Sequence, residues 1–212
     1  IKAIAKDTAE NVSSEEMKTP YMREFENFGK LLYRKGVVVS AIYMPRYHPW
    51  QEGWVPYDYP LLGKYDSSDD VVQWKHVDWA SGHGINVFWI DGGLWEGWKV
   101  YERILIKSLM DKDMKCGVLF GWAPWPGFIK GTVSGAPDWT IDLSLGSNKN
   151  LFRELTENLM NSDFFSHPNY VKINNKPAIF FYDAIVFLKE KEAFTEFRNM
   201  FYNRWHVHPY VI

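Results

Sequence analysis

Apolar and polar positions along this chain follow two alternating periods. Four apolar runs rich in β-formers, Val37–Met44, Ile85–Asp91, Cys116–Trp122 and Pro177–Asp183, are each bounded by turn residues, and a fifth runs from Pro209 to Ile212. The runs are continuous rather than alternating. That is what strands covered on both faces require, as in a parallel sheet packed under helices. Between the runs the period becomes helical. Asp69 or Asp70 can cap a helix through Val72, Lys75 and Trp79. Trp98, Tyr101, Leu105 and Leu109 form one stripe, Leu151, Leu155 and Leu159 a second, and Phe187, Phe194, Phe197 and Phe201 a third. Strand and helix in alternation predict right-handed βαβ units.

Residues 1–36 read as a helical lead-in to a domain spanning 37–212. Ser13 and Glu16 have capping-box spacing, and Thr19-Pro20 can open a second helix. Tyr21, Phe25, Phe28 and Leu32 keep helical spacing up to Gly36. The domain shows about four βα units and a fifth strand in a chain of 212 residues, whereas a (β/α)8 barrel typically needs ~250. Two α/β architectures fit: a TIM-type barrel incomplete on its C-terminal side, or an open parallel sheet of five strands. The barrel is the leading expectation. It implies that a further C-terminal segment or a partner completes the sheet, because a half-barrel leaves strand edges and apolar surface uncovered. The first residue is Ile1, which suggests a processed or partial chain.

Charge narrows the function classes. With 24 basic against 26 acidic side chains and no basic stripe, nothing points to nucleic acid. The apolar runs are strand-sized, short of the ~20 residues of a membrane helix, so membrane insertion is not expected. The single cysteine, Cys116, excludes an internal disulfide framework and opens a buried strand. Asn11-Val12-Ser13 matches a glycosylation sequon, a short pattern that arises easily by accident. No leader is visible, and a secreted or cell-surface location is only slightly favoured. His206-x-His208 lacks a third ligand, so no metal is expected. No P-loop, dinucleotide fingerprint or nucleophile elbow occurs, and no cofactor is expected.

In parallel α/β folds, function gathers where strands end. The connections from Pro45 to Ser68 and from Ala123 to Ser147 are long, and they carry Tyr47, Trp50, Trp54, Tyr57, Trp125 and Trp139. Trp95 and Trp122 stand beside strand ends. A pyranose can lay its C–H face on such rings while its hydroxyls bond around the rim, although rings of this kind also pack loops onto a rim. Asp91 and Asp183 each end an apolar run. Two strand spacings apart, their backbones would lie ~9–10 Å from one another, near the range used by glycoside-hydrolysing carboxyl pairs. They are the weak catalytic candidates, against the alternative that each caps a helix or orders its loop. His48 can bond a substrate hydroxyl or transfer a proton, and Arg46 can orient an acid. Tyr182, beside Asp183, joins Tyr47, His48, Trp95 and Trp122 as a candidate substrate contact. Glu96 is weaker, since it can simply favour the next helix terminus.

Several ordered segments resemble glycoside hydrolase family 99 and its WbsX-like relatives. They are Ala41-Ile42-Tyr43-Met44-Pro45-Arg46-Tyr47-His48-Pro49, then Pro60-Leu61-Leu62-Gly63-Lys64-Tyr65-Asp66-Ser67-Ser68-Asp69, then Gly84-Ile85-Asn86-Val87-Phe88-Trp89-Ile90, then Tyr170-Val171-Lys172-Ile173-Asn174-Asn175-Lys176-Pro177-Ala178. The resemblance implies a (β/α)8 barrel acting within α-linked, mannose-type glycans or polysaccharide, without a metal. It also implies a Glu-x-x-Glu pair on a late strand. Nothing after Asp183 matches that pair, since Glu190, Glu192 and Glu196 fall on a predicted helix. The catalytic pair is therefore carried over to no residue. Under the resemblance Trp95 supplies a stacking surface and Asp91 binds substrate. The alternative function is a glycan-binding or architectural domain without catalysis.

Overall fold

The computed structural model describes residues 3–6, 12–15, 25–44, 65–91, 98–120, 127–161 and 163–212. A short antiparallel pair, β1 (Ala3–Lys6) and β2 (Val12–Glu15), precedes the helix α1 (Phe28–Arg34). Then come β3 (Ser40–Tyr43), α2 (Asp70–Gly82), β4 (Val87–Asp91), α3 (Trp98–Lys112), β5 (Lys115–Phe120), β6 (Ile141–Asp142), α4 (Gly146–Met160), β7 (Lys172–Ile173), β8 (Lys176–Phe181), β9 (Phe187–Leu188), α5 (Lys191–Trp205) and β10 (Tyr210–Val211).

All five apolar runs contain a strand, and β3, β4, β5, β8 and β10 are hydrogen-bonded in that order, every pair parallel. Each new strand adds on the same side. Strand order thus never reverses, as it does in a doubly wound sheet, and progressive addition is the order a barrel uses. Among the described residues β3 and β10 remain the two edges. This is a mixed α/β fold with a mostly parallel sheet.

Alternation along the strands sorts side chains onto two faces. Phe88, Ile90, Cys116, Val118, Phe120, Ile179 and Phe181 face the helices and form the main core with Leu105, Leu109, Phe152, Phe197 and Phe201. Val87, Trp89, Leu119 and Ala178 face the other way, in a smaller cluster with Val171. On this inner face the sheet margins are open. Ile42 and Met44 near one edge are 43% and 49% exposed, and Tyr210 and Ile212 at the other are 39% and 44% exposed.

The lead-in departs from expectation. Ser13 lies in β2, opposite Ala5, instead of capping a helix. Strand pairing satisfies the backbone groups of both segments, and a short capping signal does not outweigh that. Thr19, Pro20 and Tyr21 lie outside the described residues; among the described residues of the lead-in, α1 is capped by Asn27, whose side chain accepts from the Lys30 amide, and Gly36 follows its end at φ 76°. Phe187 also leaves its predicted helical stripe, since it pairs with Ile141 as part of β9.

Two polar devices fix the layers. The Asn86 side chain accepts from Val39 N and donates to the carbonyls of Val37 and Gly29, tying α1 to the start of β3. Asp78, fully buried on α2, takes Lys75 at 2.7 Å, Lys112 of α3 at 3.2 Å and the Phe25 amide at 2.9 Å. Burial pushes its carboxyl up, but the bonds from Lys75, Phe25 and Lys112 outweigh that and hold it below the usual range.

Candidate ligand site at the strand ends

The inner face is layered toward the strand ends. Trp89 of β4 is paired with Gly117 of β5, and its indole crosses that glycine to meet Phe180 of β8 edge-on at 5.6 Å. A side chain at Gly117 would strike the indole, so the glycine is what lets the ring lie flat across β5. One layer further on, Asp91 is level with Leu119, and Leu119 with Phe180. Asp91 shares the inward parity of Val87 and Trp89 and is buried at 3% exposure. It therefore stands one layer beyond Trp89 and level with Phe180. Tyr182 continues the inward parity of Phe180 and is 36% exposed, while its amide is held by the Phe120 carbonyl.

Asp183 is placed differently. The strand ends at Phe181, and Asp183 sits at φ 54° in the turn that starts the 3-10 segment Ala184–Val186. It lies three residues beyond Phe180, the residue level with Asp91, so the two acids are offset along the strands as well as separated across them. Its side chain makes no cap bond to the following turn. Tyr47, His48, Trp95 and Trp122, with Arg46 and Glu96, lie outside the described residues. Trp139 is half exposed on the connection after β5.

That connection is built by Asp142, which sequence reading passed over. Its Oδ1 accepts from the amide and hydroxyl of Ser144, and its Oδ2 takes Lys189 at 2.8 Å. The Lys189 bond and then the two Ser144 bonds bring its pKa down to about 2. β6 and β9, the connections following β5 and β8, pair in parallel beside it. Asn148 on α4 then clasps Ile129, accepting from its amide and donating to its carbonyl. The signal was present, because Asp-x-Ser is turn chemistry. It occurs twice: Asp66 Oδ1 likewise accepts from the amide and hydroxyl of Ser68, directly before Asp69 caps α2. The acids at 66 and 69 are thus a turn and a helix cap.

His206 ends α5 in a left-handed conformation and His208 stacks on Tyr202 at 4.8 Å. Among the described residues no three His, Cys, Asp or Glu side chains are grouped to hold a metal ion, and no helix is long and apolar enough to cross a membrane.

Family models and curated protein sequences give no match. Solved structures do. A glycoside hydrolase-like protein superposes with a TM-score of 0.51 at 15% identity, covering 93% of this chain and 54% of its own. Two structures of the family 99 endo-alpha-mannosidase from Bacteroides thetaiotaomicron superpose at TM-scores of 0.46 and 0.45, with 18% and 16% identity. Each covers 70% of this chain, and the matched part is 42% and 46% of theirs. The chain therefore spans about half the length of these structures. Over 93% of its length it shares the fold of about half of that glycoside hydrolase-like protein.

Proposed function

We propose that this chain is part of a glycan-processing (β/α) barrel, and that its own residues bind and orient the sugar. The observation that carries this reading is the inward Asp91, one layer beyond the Trp89 indole and level with Phe180, at the C-terminal end of a progressively wound parallel sheet. A carboxylate at such a place accepts hydrogen bonds from sugar hydroxyls, and Tyr182, two residues beyond Phe180, offers a partly exposed ring and a phenol. The long connections add Tyr47, His48, Trp95 and Trp122 as further contacts on this reading. The substrate class is an α-linked, mannose-type oligosaccharide or polysaccharide, taken from the sequence resemblance. The mode is endo-acting hydrolysis if further strands bring a carboxyl pair.

A second reading is a glycan-binding domain without catalysis. It is favoured by the offset between Asp91 and Asp183, which leaves the described strand ends of this chain without a level acid pair. Titration with α-linked manno-oligosaccharides, followed by long incubation and product analysis, separates the two. Saturable binding with cleavage supports the hydrolase, binding without cleavage supports the binding domain, and no binding to any glycan rejects both.

A further inference from the structure

On the helical side of the sheet, α2 and α3 leave a cavity of about 240 Å³ between them, lined by Asp70, Val71 and Trp74 of α2 and by Lys107, Ser108 and Asp111 of α3. Asp91 points to the opposite, inner face, so the sheet separates the two places. Trp74 is the one aromatic residue of the lining. The ammonium groups of Lys112 and Lys75 lie over its ring, 5.4 and 5.7 Å from the centroid. Both are tied to the single Asp78 carboxylate, at 3.2 and 2.7 Å. Two nitrogens sharing one carboxylate cannot straddle a ring from those distances, so they hold Trp74 from one face and leave the other for the cavity. A ring fixed in advance gives up little freedom when a ligand lies on it.

The charges around this ring select its occupant. A cation would meet Lys107 at the cavity wall and the Lys75 and Lys112 ammonium groups behind the indole. An anion would meet Asp70 and Asp111. A wholly apolar group would strip water from these charges and return no hydrogen bonds. A neutral ring with an apolar C–H face and hydroxyls at its edge suits every group: the face lies on the indole, hydroxyls donate to Asp70 and Asp111, and Lys107 donates to a ligand oxygen. The volume falls below the ~300–1,000 Å³ of drug-sized pockets, which suits one such ring. We propose that this cavity is a second carbohydrate-binding site, taking one pyranose unit of a neutral glycan on Trp74. A glycan long enough to reach both places would be held at two points, which raises its effective concentration at the strand ends.

The test follows the indole N–H signals by NMR during titration with an α-linked mannose disaccharide, the probe that the proposed substrate class supplies. The Trp74 signal is the one absent from Trp74→Phe; should that variant not fold, the signal is assigned from its through-space contacts with Val71. We expect it to shift saturably in the wild type and still to do so in Asp91→Asn. Asp111→Ala, an exposed change on α3, should raise the Kd read from this signal about threefold or more, through loss of a charged acceptor. Tetramethylammonium and inorganic phosphate, as cationic and anionic probes, should leave the signal in place. No saturable shift with the disaccharide, a shift that disappears in Asp91→Asn, a rise below about threefold in Asp111→Ala, or saturation by either ion overturns the proposal. The Trp74 signal and the effect of Asp91 are read separately, so this site and the strand-end site can each fail without the other.

Discussion

Replacing Gly117 with alanine tests the Trp89 indole that lies one layer below Asp91. A Cβ at that position would stand 2.3 Å from Cζ3 and 2.6 Å from Cε3 of Trp89, and 2.7 Å from Cγ1 of Val171. Carbon atoms rest at about 3.5–4.0 Å. The indole must therefore retreat by about an ångström, with Phe180 edge-on to it at 5.6 Å. Overpacking of this kind costs about 1–3 kcal/mol, and with backbone strands on both sides we place Gly117→Ala in the upper half of that range. Urea unfolding reads the loss as a lowered midpoint at unchanged slope. Trp89→Phe removes the part of the ring that the new methyl meets. The double variant should accordingly lose at least about 1 kcal/mol less than the two single losses added. A Gly117→Ala loss below about 0.5 kcal/mol, or additive single losses, would mean that the indole does not lie across β5.

Other outcomes follow from the same contacts. Asp78→Asn takes the carboxylate from two buried lysines and should cost about 3–5 kcal/mol, read by chemical denaturation. Asp142 has a lowered folded pKa of about 2 against an ordinary 3.8, so its contribution is complete above 3.8 and is lost as pH falls toward 2. The thermal midpoints of the wild type and Asp142→Asn should therefore converge between those two values. A gap that stays constant contradicts the Lys189 and Ser144 ties.

The sheet was legible in the sequence because strands buried on both faces must be apolar throughout, and the five runs gave it. That Asp69 or Asp70 caps α2 was equally readable, and the structure selects Asp69. Parity was harder to read. A continuous apolar run does not announce which residues face inward, and a strand expected to reach Asp183 instead ends at Phe181. That shorter strand is what sets Asp183 apart from Asp91. Asn174 and Asn175, at φ 51° and 61°, carry a two-residue turn between β7 and β8. Paired Asn at such a turn is a readable hairpin signal, hidden here by the brevity of β7. The pairing of β6 with β9 joins segments far apart in sequence, and no local pattern could reveal it. Gly117 was invisible for a related reason, since only the neighbouring strand shows what its missing side chain admits.

The most direct test of the central claim is calorimetric titration of the protein with α-linked manno-oligosaccharides, comparing the wild type with Asp91→Asn after both are shown to be folded. The account predicts saturable binding that weakens about tenfold or more when the Asp91 carboxylate is neutralised, as expected for loss of a charged hydrogen-bond acceptor. Equal affinity in the two proteins, or no saturable heat with any glycan, would contradict it.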